Sequence, residues 1–475
     1  MLRPKDLDKL GIFNVMTSRN HEKHRRKIIW YLRLIRLNFL YKIPPVIGWM
    51  QVQIAKKIGG AEWGVDEGKK YIRQLKTGFA SASSKEEKIT IQKEIDGCEW
   101  QLSINNHLIK EWKLVADAIA WKILKYQRIK IRILSENHSS GLLNFRSDGT
   151  RQELATVMDL SLARWKLLIW SDLTNYIRIG DVVVRHSDNQ FEILEVKNNP
   201  GHRTLRIERQ EKRMNEVAEI FNKNVINTSK GAIILDKVDT PLSSYSKDVL
   251  ELIKQSRKSY VACRKIDDVI SVCVHDYGKV EKKLRKNPNP NIFKDKLSPD
   301  FPKKKHDKVM TCMSFDYLRR EGGEFPRTLA PLTIFPFSSK IISEILSGRL
   351  LLTVWIDLNE LEQKFKENGW KIEMADLKQV QKENEKIWKS GKFRQSNIYA
   401  DVIDDTLFKI SKGEYHTTLP LPMVIRLGYE FLTTQSLIDI AEDFKKKSDA
   451  RRHIFARTNV IGFSFELSHE KDLWK

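Results

Sequence analysis

The chain has 475 residues, too many for one simple core and enough for roughly two to four domains. Apolar residues make up 41% of it, which excludes wholesale disorder. Its 84 lysines and arginines outnumber 61 aspartates and glutamates, and a net charge of +23 favours polyanionic partners through counterion release.

The four cysteines, Cys98, Cys263, Cys273 and Cys312, form no Cys-x-x-Cys pair, and no disulfide framework is expected. No secretory signal is read in the opening residues. The most apolar early run, Ile28 to Ile43, is interrupted by Arg33, Arg36 and Lys42, whereas a membrane span needs about 20 nearly uncharged apolar residues. The expectation is a soluble, cytoplasmic protein with no membrane partner.

Residues 22–60 open with Lys23-His24-Arg25-Arg26-Lys27, after which Ile28, Leu32, Ile35 and Phe39 recur at helical spacing. Pro44-Pro45 is expected to end that helix. A basic amphipathic helix usually packs one face and solvates the other. Contact with a nucleic-acid backbone or a membrane surface is the alternative. Residues 85–128 show helical spacing again at Ile104, Leu108, Val115 and Ile119. The polar stretch Ser135 to Gly149 is a domain boundary by composition.

Residues 150–236 read as a compact α/β unit. Thr150 to Arg164 is a helix and Lys166 to Trp170 a strand. Two β-branched runs, Ile177 to Arg185 and Phe191 to Lys197, flank the polar turn Ser187 to Gln190 and predict a hairpin. A helix pattern runs from Leu205 to Asn222, with Gln210, Met214, Val217 and Phe221 on one face. Gly231 to Asp236 reads as a buried strand.

Further on, Tyr260–Arg264 and Val269–His275 predict a second hairpin around Asp267-Asp268. Cys263, Cys273 and His275 lie on it, with the two cysteines able to face each other; a zinc site wants a fourth ligand, so the cysteines read as core thiols. Residues 279–308, rich in Lys and Pro, read as a linker. Residues 309–475 form another α/β region. It has a strand at Leu350 to Leu358, a helix stripe at Leu437, Ile440, Ala441 and Phe444, and a late strand at Val460 to Leu467. The expected division is therefore a helical basic region 1–140, an α/β domain 141–278, a linker 279–308 and an α/β domain 309–475.

The first hairpin carries the chemistry. Side chains alternate along a strand, so Glu195 and Lys197 share a face. A turn centred between Asp188 and Asn189 would set Asp181 opposite Val196, beside both, while the face Asp181 uses depends on a one-residue register or a strand-edge bulge that the sequence does not fix. A phosphodiester is hydrolysed with a hard cation that takes oxygen ligands, usually one or two carboxylates plus waters. Asp181 and Glu195 supply carboxylates, the backbone carbonyl of Val196 a third oxygen, and Lys197 either a charge for the developing phosphate or a hold on the attacking water. Arg206, Arg209 and Arg213 on the following helix are candidates for nucleic-acid contact. Glu-x-Lys also occurs at Glu67-Gly68-Lys69, Glu86-Glu87-Lys88 and Glu362-Gln363-Lys364, but without an upstream Asp on a paired strand. His186 and His202 flank the hairpin and read as solvated loop histidines, with general-base assistance as the alternative. The 12 tryptophans read as core packing, though Trp30-Tyr31 among cations also suits base stacking. No Gly-x-x-x-x-Gly-Lys-Ser/Thr motif indicates an NTP motor.

The order of helix, three strands, helix and strand, with these residues, resembles the PD-(D/E)XK nuclease superfamily over residues 145–240. The resemblance implies a restriction-endonuclease-like αβββαβ mixed sheet and Mg²⁺- or Mn²⁺-dependent phosphodiester hydrolysis. It makes Asp181 the first acid, Glu195-Val196-Lys197 the E-x-K tripeptide, Gln210 the helical glutamine that supports the site, and Glu153 the extra acid some members carry. It implies DNA more than RNA as substrate, and a setting in restriction, anti-phage defence, repair or transposition, with a partner protein or a homo-oligomer. One departure is that the proline naming the motif is absent, and Gly180 precedes Asp181. Two alternatives stay open: a non-catalytic nucleic-acid-binding or scaffolding protein, and a nuclease acting on RNA such as tRNA.

Overall fold

The computed structural model describes residues 19–134, 143, 145, 147–177, 179–186, 190–196, 212, 214–219, 222, 225–228, 231–238, 240–286, 308–314, 330–375, 406–457 and 460–467. Helices and sheets are mixed in two compact units. The first comprises residues 1–123, 137–218 and 346–348, and the second comprises 124–136, 219–345 and 349–475.

Among the described residues, the first unit begins with three helices: α1 (Arg19–Arg36), α2 (Pro44–Ser81) and α3 (Lys85–Ile123). Pro44-Pro45 does not end α1, which stops at Arg36; the prolines open α2. A proline in the first helical turn lacks only an N–H that would have no intrahelical partner, and its fixed φ suits the helix. Ile47, Ile54, Ala55, Ile58 and Val65 bury one face of α2. The C-terminal half of α3, from Trp112 to Trp121, is buried all round. A helix apolar on every side belongs inside a core. Helix α4 (Arg128–Leu134) belongs to the second unit.

Helix α5 (Asp148–Met158) is capped by Ser147, whose side chain accepts the Thr150 N–H, and it runs into a π turn at Asp159–Ala163. The strands β1 (Leu167–Trp170), β2 (Val182–Arg185) and β3 (Phe191–Leu194) follow as an antiparallel sheet in that order. All four residues of β1 are buried, and β1 is an edge of this sheet. That edge is satisfied by a side chain. Gln51 of α2 donates to the Leu168 carbonyl at 2.9 Å and accepts the Trp170 N–H at 2.7 Å.

The strand predicted at Gly231 to Asp236 exists as part of β5 (Gly231–Val238), antiparallel to β4 (Val225–Thr228), but it pairs with β4 and a late strand rather than with β1–β3. This is a departure from the expected αβββαβ sheet. At the β1 edge, one carbonyl (Leu168) and one N–H (Trp170) are held by Gln51. Replacing Gln51 with Leu is expected to leave a buried carbonyl and a buried N–H unpaired, and to cost about 2–5 kcal/mol. Urea unfolding followed by circular dichroism measures this, and a loss below about 0.5 kcal/mol, the ordinary surface range, would refute the clamp.

Among the described residues, the second unit holds three sheets. Helix α6 (Ser246–Ser259) packs on the predicted hairpin, now β6 (Val261–Lys265) and β7 (Ile270–Asp276). Helix α7 (Tyr277–Lys286) occupies the start of the expected linker; its remainder, 287–307, lies outside the described residues. Strand β8 (Val309–Met313), helix α8 (Ser339–Leu346) and strand β9 (Leu350–Asp357) follow, and the sheet order is β6-β7-β9-β8. Cys263 and Cys273 are not separate thiols, as expected above. They face each other across β6 and β7 with Cα atoms 4.1 Å apart and are joined in a disulfide.

Helix α9 (Leu358–Glu367) is capped by Asp357, and β10 (Lys371–Met374), β11 (Thr406–Lys412) and β12 (Tyr415–Pro420) form an antiparallel sheet. The predicted stripe falls on α10 (Thr434–Arg457), with Leu437, Ile440 and Ala441 buried. Strand β13 (Val460–Leu467) lies parallel to β5.

Candidate active site

The loop after β1 is built to deliver Asp181. A short 3-10 turn, Ser171–Leu173, follows the strand, and Thr174 closes it by donating its hydroxyl to the Ser171 carbonyl. Asp117, fully buried on α3, accepts both the Asn175 N–H and the Asn175 side-chain amide at 2.7 Å. Two short bonds to one carboxylate fix this loop against the helix.

Gly180 then turns the chain at φ +69, a conformation that L side chains avoid. A Cβ there would lie 2.4 Å from Ile193 Cγ2 and 3.0 Å from the Leu194 carbonyl. Proline holds φ near −65° and cannot occupy this turn. The absence of the motif's proline therefore has a steric reason. Met214, on the described part of the following helix (214–219), reaches to within 3.5 Å of that Cβ position.

Asp181 ties three chain segments together. Its carbonyl accepts the Ser171 N–H at 2.9 Å, and its N–H donates to Leu194 at 2.8 Å. Its Oδ2 accepts the Val196 N–H at 2.6 Å. The hairpin ladder pairs Val182 with Leu194, one residue off the register expected from the turn, which would have paired Val182 with Glu195. A one-residue slip exchanges the faces of a strand. The Asp181 bonds instead clasp residues 194 and 196, on either side of Glu195.

Four carboxylates act on one another here. Burial, then the charges of Glu195 and Asp172, push Asp181 up to about 7 against the pull of the Val196 N–H. Burial also pushes Glu153 up to about 7, with Asp172, Asp181 and Glu195 adding to the rise. Glu153 sits on α5, and its Oε2 accepts the Trp170 indole N–H at 2.8 Å, which works the other way. Such shifts arise where anions are crowded away from water, and they recur at functional sites.

Of the predicted site residues, the structure brings Asp181, Glu195 and Glu153 within reach of one another's charge and binds Val196 to Asp181. Lys197, Gln210, Arg206, Arg209 and Arg213 lie outside the described residues, as does His202. His186 contacts Glu192 at 3.1 Å. Sequence reasoning missed Asp172, Asp117, Trp170 and Gln51. The acid immediately after the buried Leu-Leu-Ile-Trp strand, and the lone Asp inside the apolar Leu114 to Trp121 run, were the available signals.

Asp181 and Glu195 suit a hard divalent cation, because Mg²⁺ takes one or two carboxylates and keeps several waters. Among the described residues, no group of three His, Cys, Asp or Glu side chains is placed to hold a metal. No family model, curated protein or solved structure matches the chain.

Proposed function

We propose that this chain is a metal-dependent nuclease that hydrolyses the phosphodiester backbone of nucleic acid, with DNA favoured. The observation that carries the reading is the clasped pair Asp181 and Glu195, two crowded carboxylates at neighbouring strand ends with Glu153 and Asp172 beside them. A net charge of +23 supports a polyanionic substrate.

Asp181 and Glu195 would hold Mg²⁺ or Mn²⁺, with the Val196 carbonyl as a further oxygen. A cation bound there supplies polarisation of the phosphate and a lowered pKa for water. The chain's own residues do the rest. The Val196 N–H orients the Asp181 carboxylate through Oδ2, and Oδ1 has no protein partner among the described residues. Glu153, held up to about 7 in the metal-free chain mainly by burial, is placed to hold a proton beside the pair. Lys197 carries the positive charge for the phosphate, and Gln210 supports the site.

A second reading, a nucleic-acid-binding protein that does not cut, rests on the lack of a three-ligand cluster among the described residues. A cleavage assay on plasmid DNA, single-stranded DNA and RNA, with Mg²⁺, Mn²⁺ and EDTA lanes, separates the two. The wild type is expected to cut only with metal. Glu195→Ala and Lys197→Ala are expected to lose cutting while retaining most binding. Cutting at wild-type rates by both variants refutes the site, and binding without cutting in every lane supports the second reading.

A further inference from the structure

Helices α1 and α2 of the first unit carry another surface of one chemical kind. On α1, Lys27, Trp30 and Arg33 recur every third residue and are all exposed. On α2, Trp49, Lys56 and Trp63 are exposed at seven-residue steps, which set them along one line of about 21 Å. The two helices meet through Trp30 and Trp49, whose rings pack edge to face with centroids 6.2 Å apart. Trp30 and Trp49 are each 45% exposed and Trp63 is 55% exposed, whereas Trp112, Trp121 and Trp170 of the same unit are fully buried. Open indoles on this scale mark a contact surface rather than core.

The cations here are crowded. Burial first, and then the adjacent charge of Lys27, hold Lys57 below the ordinary lysine range. Neither residue, nor Arg33 or Lys56, has an acidic partner among the described residues. Ammonium groups side by side repel, and an anion between them reverses the sign of that interaction. A lipid surface is met by a contiguous apolar face with the cations on the opposite side. Here indoles and cations alternate, which matches a strand whose phosphates are anionic and whose bases offer open faces.

We propose that Trp30, Trp49 and Trp63, with Lys27, Lys56 and Lys57, form a binding track for single-stranded nucleic acid, lysines on phosphates and indoles on bases. The track extends the nuclease reading, since α2 also holds the β1 edge through Gln51, but binding along it does not require cutting.

The test is fluorescence anisotropy of a labelled oligothymidylate of about 20 nucleotides, a length above the usual single-strand site size, with the full chain in EDTA. Lys27→Glu with Lys57→Glu is expected to weaken binding at least about tenfold and to flatten the salt dependence by about 1.4, because each phosphate contact on a single strand contributes about 0.7 to the slope. Trp30→Ala with Trp49→Ala is expected to weaken binding roughly tenfold or more and to reduce the quenching of tryptophan fluorescence by the oligonucleotide. Circular dichroism and melting confirm that these surface variants are folded. Unchanged oligonucleotide affinity in both variants overturns the track. So does binding to phosphatidylserine vesicles, sensitive to these substitutions, without oligonucleotide binding. A wild type that binds through the track but cuts nothing overturns the nuclease reading alone.

Discussion

Replacing Asp181 with Asn is expected to end the proposed metal-dependent cutting and, in EDTA at pH 8, to make the protein more stable than the wild type. The two effects share a cause. Asp181 titrates at about 7 in the folded chain, against an ordinary value of 3.8, mainly because burial penalises its charge. A raised carboxylate pKa means that the folded state keeps a proton the unfolded state has already released. Stability is therefore highest below the ordinary value and declines as pH rises from about 4 to about 7. Glu153, also at about 7, adds to the decline over the same window. Above it, the metal-free wild type carries the full desolvation cost, on the order of a few kcal/mol. Asn has no charge to desolvate and keeps a carbonyl for the Val196 N–H. It cannot replace an anionic ligand, so the rate should fall about a hundredfold or more. Melting curves at pH 5 and pH 8, with EDTA or Mg²⁺, read the linkage. Mg²⁺ should restore the wild type at pH 8 and leave the variant unmoved. A wild-type midpoint that does not fall between pH 5 and pH 8, or a variant that responds to Mg²⁺ as the wild type does, would refute the account.

The largest expected loss of stability is at Glu430, in the second unit. Its side chain is fully buried. Oε2 accepts Arg128 and Arg426, each at 2.8 Å, and Oε1 accepts the Ala330 N–H at 2.7 Å. Burial pushes the Glu430 pKa up, but Arg128, Arg426 and the Ala330 N–H together bring it below the ordinary value. This carboxylate joins α4, the segment at Ala330 and the turn Arg426–Tyr429. Glu430→Ala would remove the carboxylate that two guanidiniums share, with Arg426 only 2% exposed. Breaking a buried ion network from one side costs about 3–5 kcal/mol, because a charge is left uncompensated. Urea unfolding measures it, and a cost under about 1 kcal/mol would show that water or other groups rescue the arginines. The sign with pH is opposite to that at Asp181. A depressed carboxylate stabilises above its ordinary value, and that share is lost as acid carries the pH down through the folded value.

Periodicity made the secondary structure legible. The hairpin around Asp188, the strand at Leu350, the helix stripe at Leu437 and the strand at Val460 all occur where the apolar pattern puts them. Pro44-Pro45 was misread because proline both ends helices and begins them, and only its position relative to α2 decides which. The hairpin pattern already allows Cys263 to face Cys273, but length and cysteine spacing say nothing of bonding; the Cα separation that permits a disulfide is a property of the paired strands.

The sequence alone determined which polar residues sit at strand ends, since alternation and turn chemistry are local, and it placed Asp181 and Glu195 on one hairpin. Tertiary structure decided what surrounds them. The closeness of Glu153 and Asp172, the Asp117 staple and the Gln51 seal on β1 join residues 17 to 119 positions apart. Such pairings follow from burial and from the need of each buried polar group for a partner, which no window along the chain records.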